Sequence, residues 1–256
     1  MCIRDMINRV YDILLLNKKN VQSIDFSIFE SEYKMLKNKN SVDTSSKVLN
    51  SIDTWKKTIY PKSDGQNKYI QAVNEYDVIF GLGPAGTGKS YLAVAKAVQS
   101  LKKGLIDKII LSRPAVEAGE NLGFLPGDMK DKVDPYLRPI YDALYEMMPF
   151  EIVEKKIQEG IIEIAPVAFM RGRTFKNSFI IIDEAQNTSS IQMKMILTRL
   201  GYGSKMIING DLTQIDIKYI NDSGLSTAKK KLSNLKTIKF INSVSYTHLR
   251  AHETSN

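Results

Sequence analysis

Histidine and cysteine are almost absent from this chain. Its 256 residues include two histidines, His248 and His252, and one cysteine, Cys2. A single cysteine permits no internal disulfide, which fits a reducing compartment. No apolar run is long enough to span a bilayer. The N-terminus lacks a signal-peptide core followed by a small-residue cleavage site. The expected location is therefore cytoplasmic, with no membrane partner. Tryptophan occurs once, at Trp55, where it is expected to anchor its segment on the main domain. Acidic residues are in deficit: 28 against 36 basic ones, a formal net charge of +8 and a pI near 9.3. That balance favours a polyanionic partner, most commonly nucleic acid. A lysine-rich solvated surface is the alternative.

The cysteine and both histidines lie at the two ends. Residues 1–5 and 244–256 back-translate into opposite strands of a transposon-derived sequencing adapter, and they resemble adapter read-through. Such segments are set aside in reading a fold, and the natural C-terminus is expected to be missing. The remaining chain holds neither histidine nor cysteine. It can build no His-based triad and no His/Cys zinc site. Its acid–base chemistry has to come from carboxylates, lysines or tyrosines. Residues 1–60 read as a poorly defined N-terminal appendage, with helical spacing over Met6–Leu16. Residues 61–243 read as the main domain.

That domain is organised around Gly83-Pro84-Ala85-Gly86-Thr87-Gly88-Lys89-Ser90, which fits the phosphate-binding pattern G-x-x-x-x-G-K-S/T. The apolar, β-branched run Asp77–Leu82 before it predicts a buried strand. Tyr91–Val98 after it predicts a helix. Glycines let several backbone N–H groups converge on one anion, and the helix N-terminus adds partial positive charge. Lys89 would reach the β- and γ-phosphates, and the Ser90 hydroxyl would bind Mg²⁺. A glycine-rich turn with a chance lysine is the alternative.

The second signal is Phe179-Ile180-Ile181-Ile182-Asp183-Glu184. Four apolar residues bury a strand, and two acids emerge at its end. Asp183 would hold the Mg²⁺ hydration shell, and Glu184 would act as general base on water. Further strands are expected at 108–112, 161–164, 205–209 and 237–241, and helices over 189–201 and from 223. After the strand at 205–209, Gln214, with Asp211 beside it, is placed to sense the γ-phosphate or orient water. Arg113 follows a strand end, where open α/β sheets place ligand contacts. The stretch 119–149 reads as a Gly/Pro-punctuated insertion. Its aromatic residues, Tyr136 among them, alternate with cations such as Arg138, as a single strand requires; a packed insertion is the alternative. Arg171 and Arg173 flank Gly172 in a basic loop, for which a solvated turn is the alternative.

Taken together, GPAGTGKSYLAVAK (83–96), RPAVEAGENLGFLPGD (113–128), DPYLRPIYDAL (134–144), RGRT (171–174), DEAQN (183–187), LTRLG (197–201) and GDLTQID (210–216) make the chain resemble the PhoH-like ATPase family. The resemblance runs from about Pro61 to Phe240. It implies an α/β fold of three layers, a RecA-like P-loop NTPase with a mostly parallel sheet. It also implies likeness to one lobe of superfamily 1 helicases. In several helicase-like ATPases a glutamine ahead of the P-loop strand, here Gln66, reads adenine; an exposed helix glutamine is the alternative. The implied activity is Mg²⁺-dependent ATP hydrolysis coupled to single-stranded RNA. A P-loop kinase acting on a small metabolite and a nucleotide-dependent scaffold with little turnover are the alternatives. One lobe alone lacks the transition-state arginine that a second lobe supplies. A homo-oligomer is therefore expected, as a hexameric ring, with Arg171, Arg173 or Arg199 as candidate fingers and Arg173 as the first choice across the subunit boundary; Arg199 could serve its own site, and a structural salt bridge is the alternative for each.

Overall fold

The computed structural model describes residues 50–114, 129–214 and 223–242, with the backbone alone for 129–136 and Ala165. The expected helix at Met6–Leu16, residues 119–128 of the 119–149 insertion and the 244–256 tail lie outside the described residues.

Six short apolar runs form one sheet. They are β3 (Val78–Leu82), β4 (Lys108–Arg113), β5 (Ile162–Pro166), β6 (Ser178–Ile182), β7 (Lys205–Gly210) and β8 (Ile238–Asn242), in spatial order β5-β4-β6-β7-β3-β8. Every neighbouring pair is parallel. Alternate side chains point to opposite faces of a strand, so a strand buried on both faces reads as a continuous apolar run. Ile79, Leu111, Ile181 and Ile207 feed one core; Phe80, Ile110, Ile180 and Ile208 feed the other.

Helices cover both faces. On one side lie α1 (Asp64–Glu75), α2 (Lys89–Lys102), α3 (Met129–Met147) and α4 (Phe150–Gln158); on the other lie α5 (Ser190–Leu197), α6 (Gly224–Leu232) and a 3₁₀ turn at Val167–Met170. Ser63 caps α1, and Ser189 with Gln192 forms a capping box on α5, satisfying orphan backbone donors. This three-layer arrangement is the expected α/β class.

Three details differ from the sequence reading. The 119–149 insertion is expected to be punctuated, yet Met129–Met147 is one helix containing Pro135 and Pro139. Leu137, Ile140, Leu144 and Met147 are buried along its length, and this packing outweighs the two lost backbone bonds. α5 ends at Leu197 rather than near Gly201. There the chain turns to bridge Leu200 with Phe175, so close that a Cβ on Gly201 would lie 2.3 Å from the Phe175 carbonyl oxygen. Ahead of Pro61, a two-stranded ribbon of β1 (Ile52–Asp53) and β2 (Thr58–Ile59) buries Ile52 and Ile59 in the main core, and Trp55 packs against it.

Candidate active site

The C-terminal ends of β3, β6 and β7 meet at one cleft of about 270 Å³, lined by Ala85, Gly86, Gly88, Lys89, Ser90, Tyr91, Asp183, Glu184, Gly210, Asp211 and Gln214. Crevices beyond the carboxyl ends of parallel strands are where such sheets bind ligands. The glycine loop leaves β3, is pinned by Gly83 N–H on the Gly210 carbonyl at 3.1 Å, and enters α2 through Gly88. Gly86 and Gly88 have φ of 76° and 84°, a region that favours glycine. The Lys89 ammonium donates to the carbonyl oxygens of Gly83 (2.7 Å) and Pro84 (2.8 Å) and to Thr87 Oγ1 (3.1 Å). Burial pushes its pKa down, against the attraction of Asp183, Asp211 and Glu184.

Ser90, the first residue after Lys89, reaches across to β6. Its hydroxyl donates to Asp183 Oδ1 at 2.5 Å. Asp183 is 8% exposed. Desolvation raises its pKa; the Ser90 donor and, more weakly, the Arg113 charge oppose the rise, and the Glu184 charge adds to it. Glu184 has left-handed backbone, φ 52° and ψ 39°, which is uncommon for a residue with a side chain. Strain of this kind concentrates at functional positions. One Glu184 oxygen lies 3.3 Å from Arg113 Nη2. The other accepts from Gln186 Nε2 at 2.5 Å, while Gln186 Oε1 accepts the Asp211 amide N–H at 3.0 Å. Gln186 received no role from the sequence; its one signal was its position two residues after Glu184.

Asp211 completes the acidic wall. Its Oδ1 accepts the amide and hydroxyl of Thr213, and its buried Oδ2 has no hydrogen-bond partner among the described residues. Gln214 is turned back by its N–H on the Asp211 carbonyl and lines the same cleft. The Ser90 hydroxyl, the Asp183 carboxylate and the unpartnered Asp211 oxygen form an all-oxygen donor set. Such a set suits a hard cation that keeps several waters and takes the rest of its shell from substrate phosphates. The residues therefore fit Mg²⁺.

A second hollow, about 630 Å³, adjoins the loop and is lined by Lys57, Tyr60, Lys62, Gln66, Gly86, Gly88, Tyr91 and Glu146 among others. Gln66 lies at its rim. Its Nε2 donates to the Thr87 carbonyl at 3.0 Å, and its Oε1 accepts from the Lys62 N–H at 2.7 Å. A carboxamide has two donors and two acceptor sites, so one of each remains for a base edge.

Other sequence-predicted residues lie apart from this cleft or outside the description. Arg173 is clamped by both guanidinium nitrogens on Glu163 and lies over the Phe175 ring. Arg199 donates to the Met195 and Arg173 carbonyls at 3.1 and 2.7 Å. Arg171 is exposed, as is Arg138 on α3. Tyr136 also belongs to α3, and its side chain lies outside the described residues.

The phosphate loop after the first core strand, the acid pair after β6 and the parallel sheet with helices on both faces define a RecA-like P-loop nucleotide-binding fold. A profile for PhoH-like proteins matches residues 58–255. The chain belongs to the PhoH-like protein family. It is 59% identical over 185 residues to a PhoH-like protein of Bacillus subtilis, covering 72% of this chain and 58% of that one. It is 56% identical over 182 residues to a PhoH-like protein of Mycobacterium tuberculosis, covering 71% and 52%. With protein PhoH of Escherichia coli the identity is 44% over 175 residues, covering 68% and 49%. The chain thus spans about half the length of the curated relatives it matches. Among solved structures, Pif1 helicase from Candida albicans aligns with a TM-score of 0.36 and 15% identity, covering 72% of this chain and 39% of that one. Among the described residues no helix is long and apolar enough to cross a membrane.

Proposed function

We propose that this protein binds ATP with Mg²⁺ and hydrolyses it in a cycle coupled to single-stranded RNA. The observation that carries the reading is the convergence of Lys89, Ser90, Asp183, Glu184, Asp211 and Gln214 on one cleft beside a glycine loop. The loop N–H groups and Lys89 take the phosphates. Gln66 reads the adenine edge. Ser90 and Asp183 would hold Mg²⁺, which would supply charge that offsets that of the phosphates. Glu184 accepts the proton of the attacking water as its oxygen bonds the γ-phosphorus and the bond to the β,γ-bridging oxygen breaks, releasing ADP. Gln214 orients that water.

The RNA half of the proposal is supported by the basic balance, by Arg113 at the ligand edge of the sheet and by exposed Arg138 on α3; Tyr136 joins them. We also propose a head-to-tail homo-oligomer, closing as a hexameric ring, with an arginine supplied across the boundary. Exposed Arg171 suits that task better than Arg173, whose guanidinium is already held by Glu163. A cytoplasmic location remains the expectation.

The test is the ATPase rate with and without poly-U RNA across a salt series, on the protein lacking residues 244–256. The reading expects stimulation that weakens as salt rises. Phosphoryl transfer to a small metabolite would favour the kinase alternative, and nucleotide binding without turnover the scaffold.

A further inference from the structure

Glu184, the residue proposed to activate water, has both carboxylate oxygens engaged outside the phosphate loop. Arg113 Nη2 is 3.3 Å from Oε1, and Gln186 donates to Oε2 at 2.5 Å. The two partners differ in kind. Gln186 is 1% exposed and tied at its other end to the Asp211 amide, so it belongs to the fixed wall of the site. The Arg113 side chain keeps 26% of its surface in solvent and ends β4 at the ligand edge of the sheet. A guanidinium there serves a carboxylate or a phosphate equally well, since its forked donors match both.

The surroundings point to a phosphate carried on a strand. Arg113 pairs in register with Pro166, the last residue of β5. From Pro166 the chain enters the 3₁₀ turn Val167–Met170 and then exposed Arg171. Phe169 in that turn is 53% exposed. Phe169 stands three residues beyond the register partner of Arg113, and a single strand uses a ring for a base and a cation for its phosphate.

We propose that Arg113 is a latch on Glu184, opened by a phosphate of a single-stranded RNA whose base stacks on Phe169. The latch rests on the reading of the site as an RNA-coupled ATPase. Without RNA, Arg113 holds Glu184 Oε1. With RNA, the guanidinium turns to the phosphate; Glu184 keeps its Gln186 bond and frees Oε1 to take the proton of the attacking water. Coupling between two sites is reciprocal, so the same ion pair must also weaken RNA binding.

Two measurements test this on the whole chain. The first is poly-U affinity without nucleotide. Glu184→Gln removes the charge that competes for Arg113 and is expected to bind poly-U about fivefold or more tightly, the lower range of allosteric coupling. Asp211→Asn, which removes another carboxylate of the same cleft, gains less, and Phe169→Ala binds more weakly. The second is ATPase rate with and without poly-U. Arg113→Gln is expected to exceed wild type about fivefold or more without RNA and to respond little when RNA is added. Wild-type poly-U affinity in Glu184→Gln, or an RNA-free rate in Arg113→Gln at or below wild type, overturns the latch. A faster Arg113→Gln in a protein whose wild type ignores poly-U overturns RNA as the releasing ligand. A wild type with no hydrolysis refutes the parent reading instead, and the affinity comparison still decides whether Glu184 and RNA compete for Arg113.

Discussion

The Ser90 hydroxyl donates to Asp183 Oδ1 at 2.5 Å, joining residues 93 positions apart. It ties the start of α2 to the end of β6, the two elements that carry the phosphate loop and the acid pair. Asp183 is buried, and desolvation holds its pKa above the ordinary 3.8 despite that donor. A carboxyl whose folded pKa is raised binds its proton more tightly in the folded state. Stability therefore falls as pH rises from the unfolded value through the folded one, and the penalty is complete above it. Asp183→Asn should raise the Tm at pH 7 by a few degrees, at roughly 2–4 °C per kcal/mol. The gain should vanish below pH 3.8. Thermal melts across pH check this; a Tm that drops at pH 7 would mean the carboxylate stabilises the fold.

Lys89 is bound by three loop oxygens within 3.1 Å, which keeps its ammonium at the mouth of the cleft. Lys89→Ala should weaken nucleotide binding roughly tenfold or more, the worth of a charged hydrogen bond at about 1.5–3 kcal/mol, and abolish turnover. Titration with a fluorescent ATP analogue measures the first effect. Unchanged affinity would remove Lys89 from the phosphates.

Gly81 sits where the β3 backbone passes Tyr69 and Asn209. A Cβ there would lie 2.4 Å from Asn209 Oδ1 and 2.7 Å from Tyr69 Cε2. Tyr69 is 1% exposed and donates its hydroxyl to that same Asn209 oxygen at 2.8 Å, so neither group has room to yield. Gly81→Ala should destabilise by about 1–3 kcal/mol, as overpacking does, read from the midpoint of urea unfolding.

The two loop arginines should separate by phenotype. Arg173→Ala breaks the Glu163 pair and should cost about 1 kcal/mol of stability. Arg171→Ala should leave the Tm in place and slow hydrolysis by a factor of ~10³ or more if it acts as a finger. Mixing Arg171→Ala with Glu184→Gln subunits should restore part of the ATPase, because one boundary then holds both an intact base and an intact arginine. Active monomers, or oligomers that stay inactive on mixing, would contradict supply across the boundary.

How far the sequence carries can be seen at particular residues. The apolar runs at 79–82, 109–111, 179–182 and 206–208 announce buried parallel strands because both faces of each are covered, so pattern and burial coincide. Gly83–Ser90 announces the loop because its backbone geometry demands glycine at fixed places. α3 was illegible: Pro135 and Pro139 argue against a helix locally, and only packing of Leu137, Ile140, Leu144 and Met147 against the core overrides them. The Arg113–Glu184 and Arg173–Glu163 pairs were illegible for another reason. Each joins different elements, and partner choice depends on strand order, which charge patterning along one chain does not encode. Gln186 escaped because its role exists only once the β7 loop is alongside.

The central claim is that Glu184 is the base, and a single-turnover measurement on Glu184→Gln tests it most directly. With ATP and Mg²⁺ prebound, the account predicts nucleotide affinity close to wild type and a hydrolysis step slowed at least a hundredfold, within the ~10²–10⁴ that a general base contributes. Single-turnover hydrolysis near the wild-type rate, with ATP bound as tightly, would contradict it.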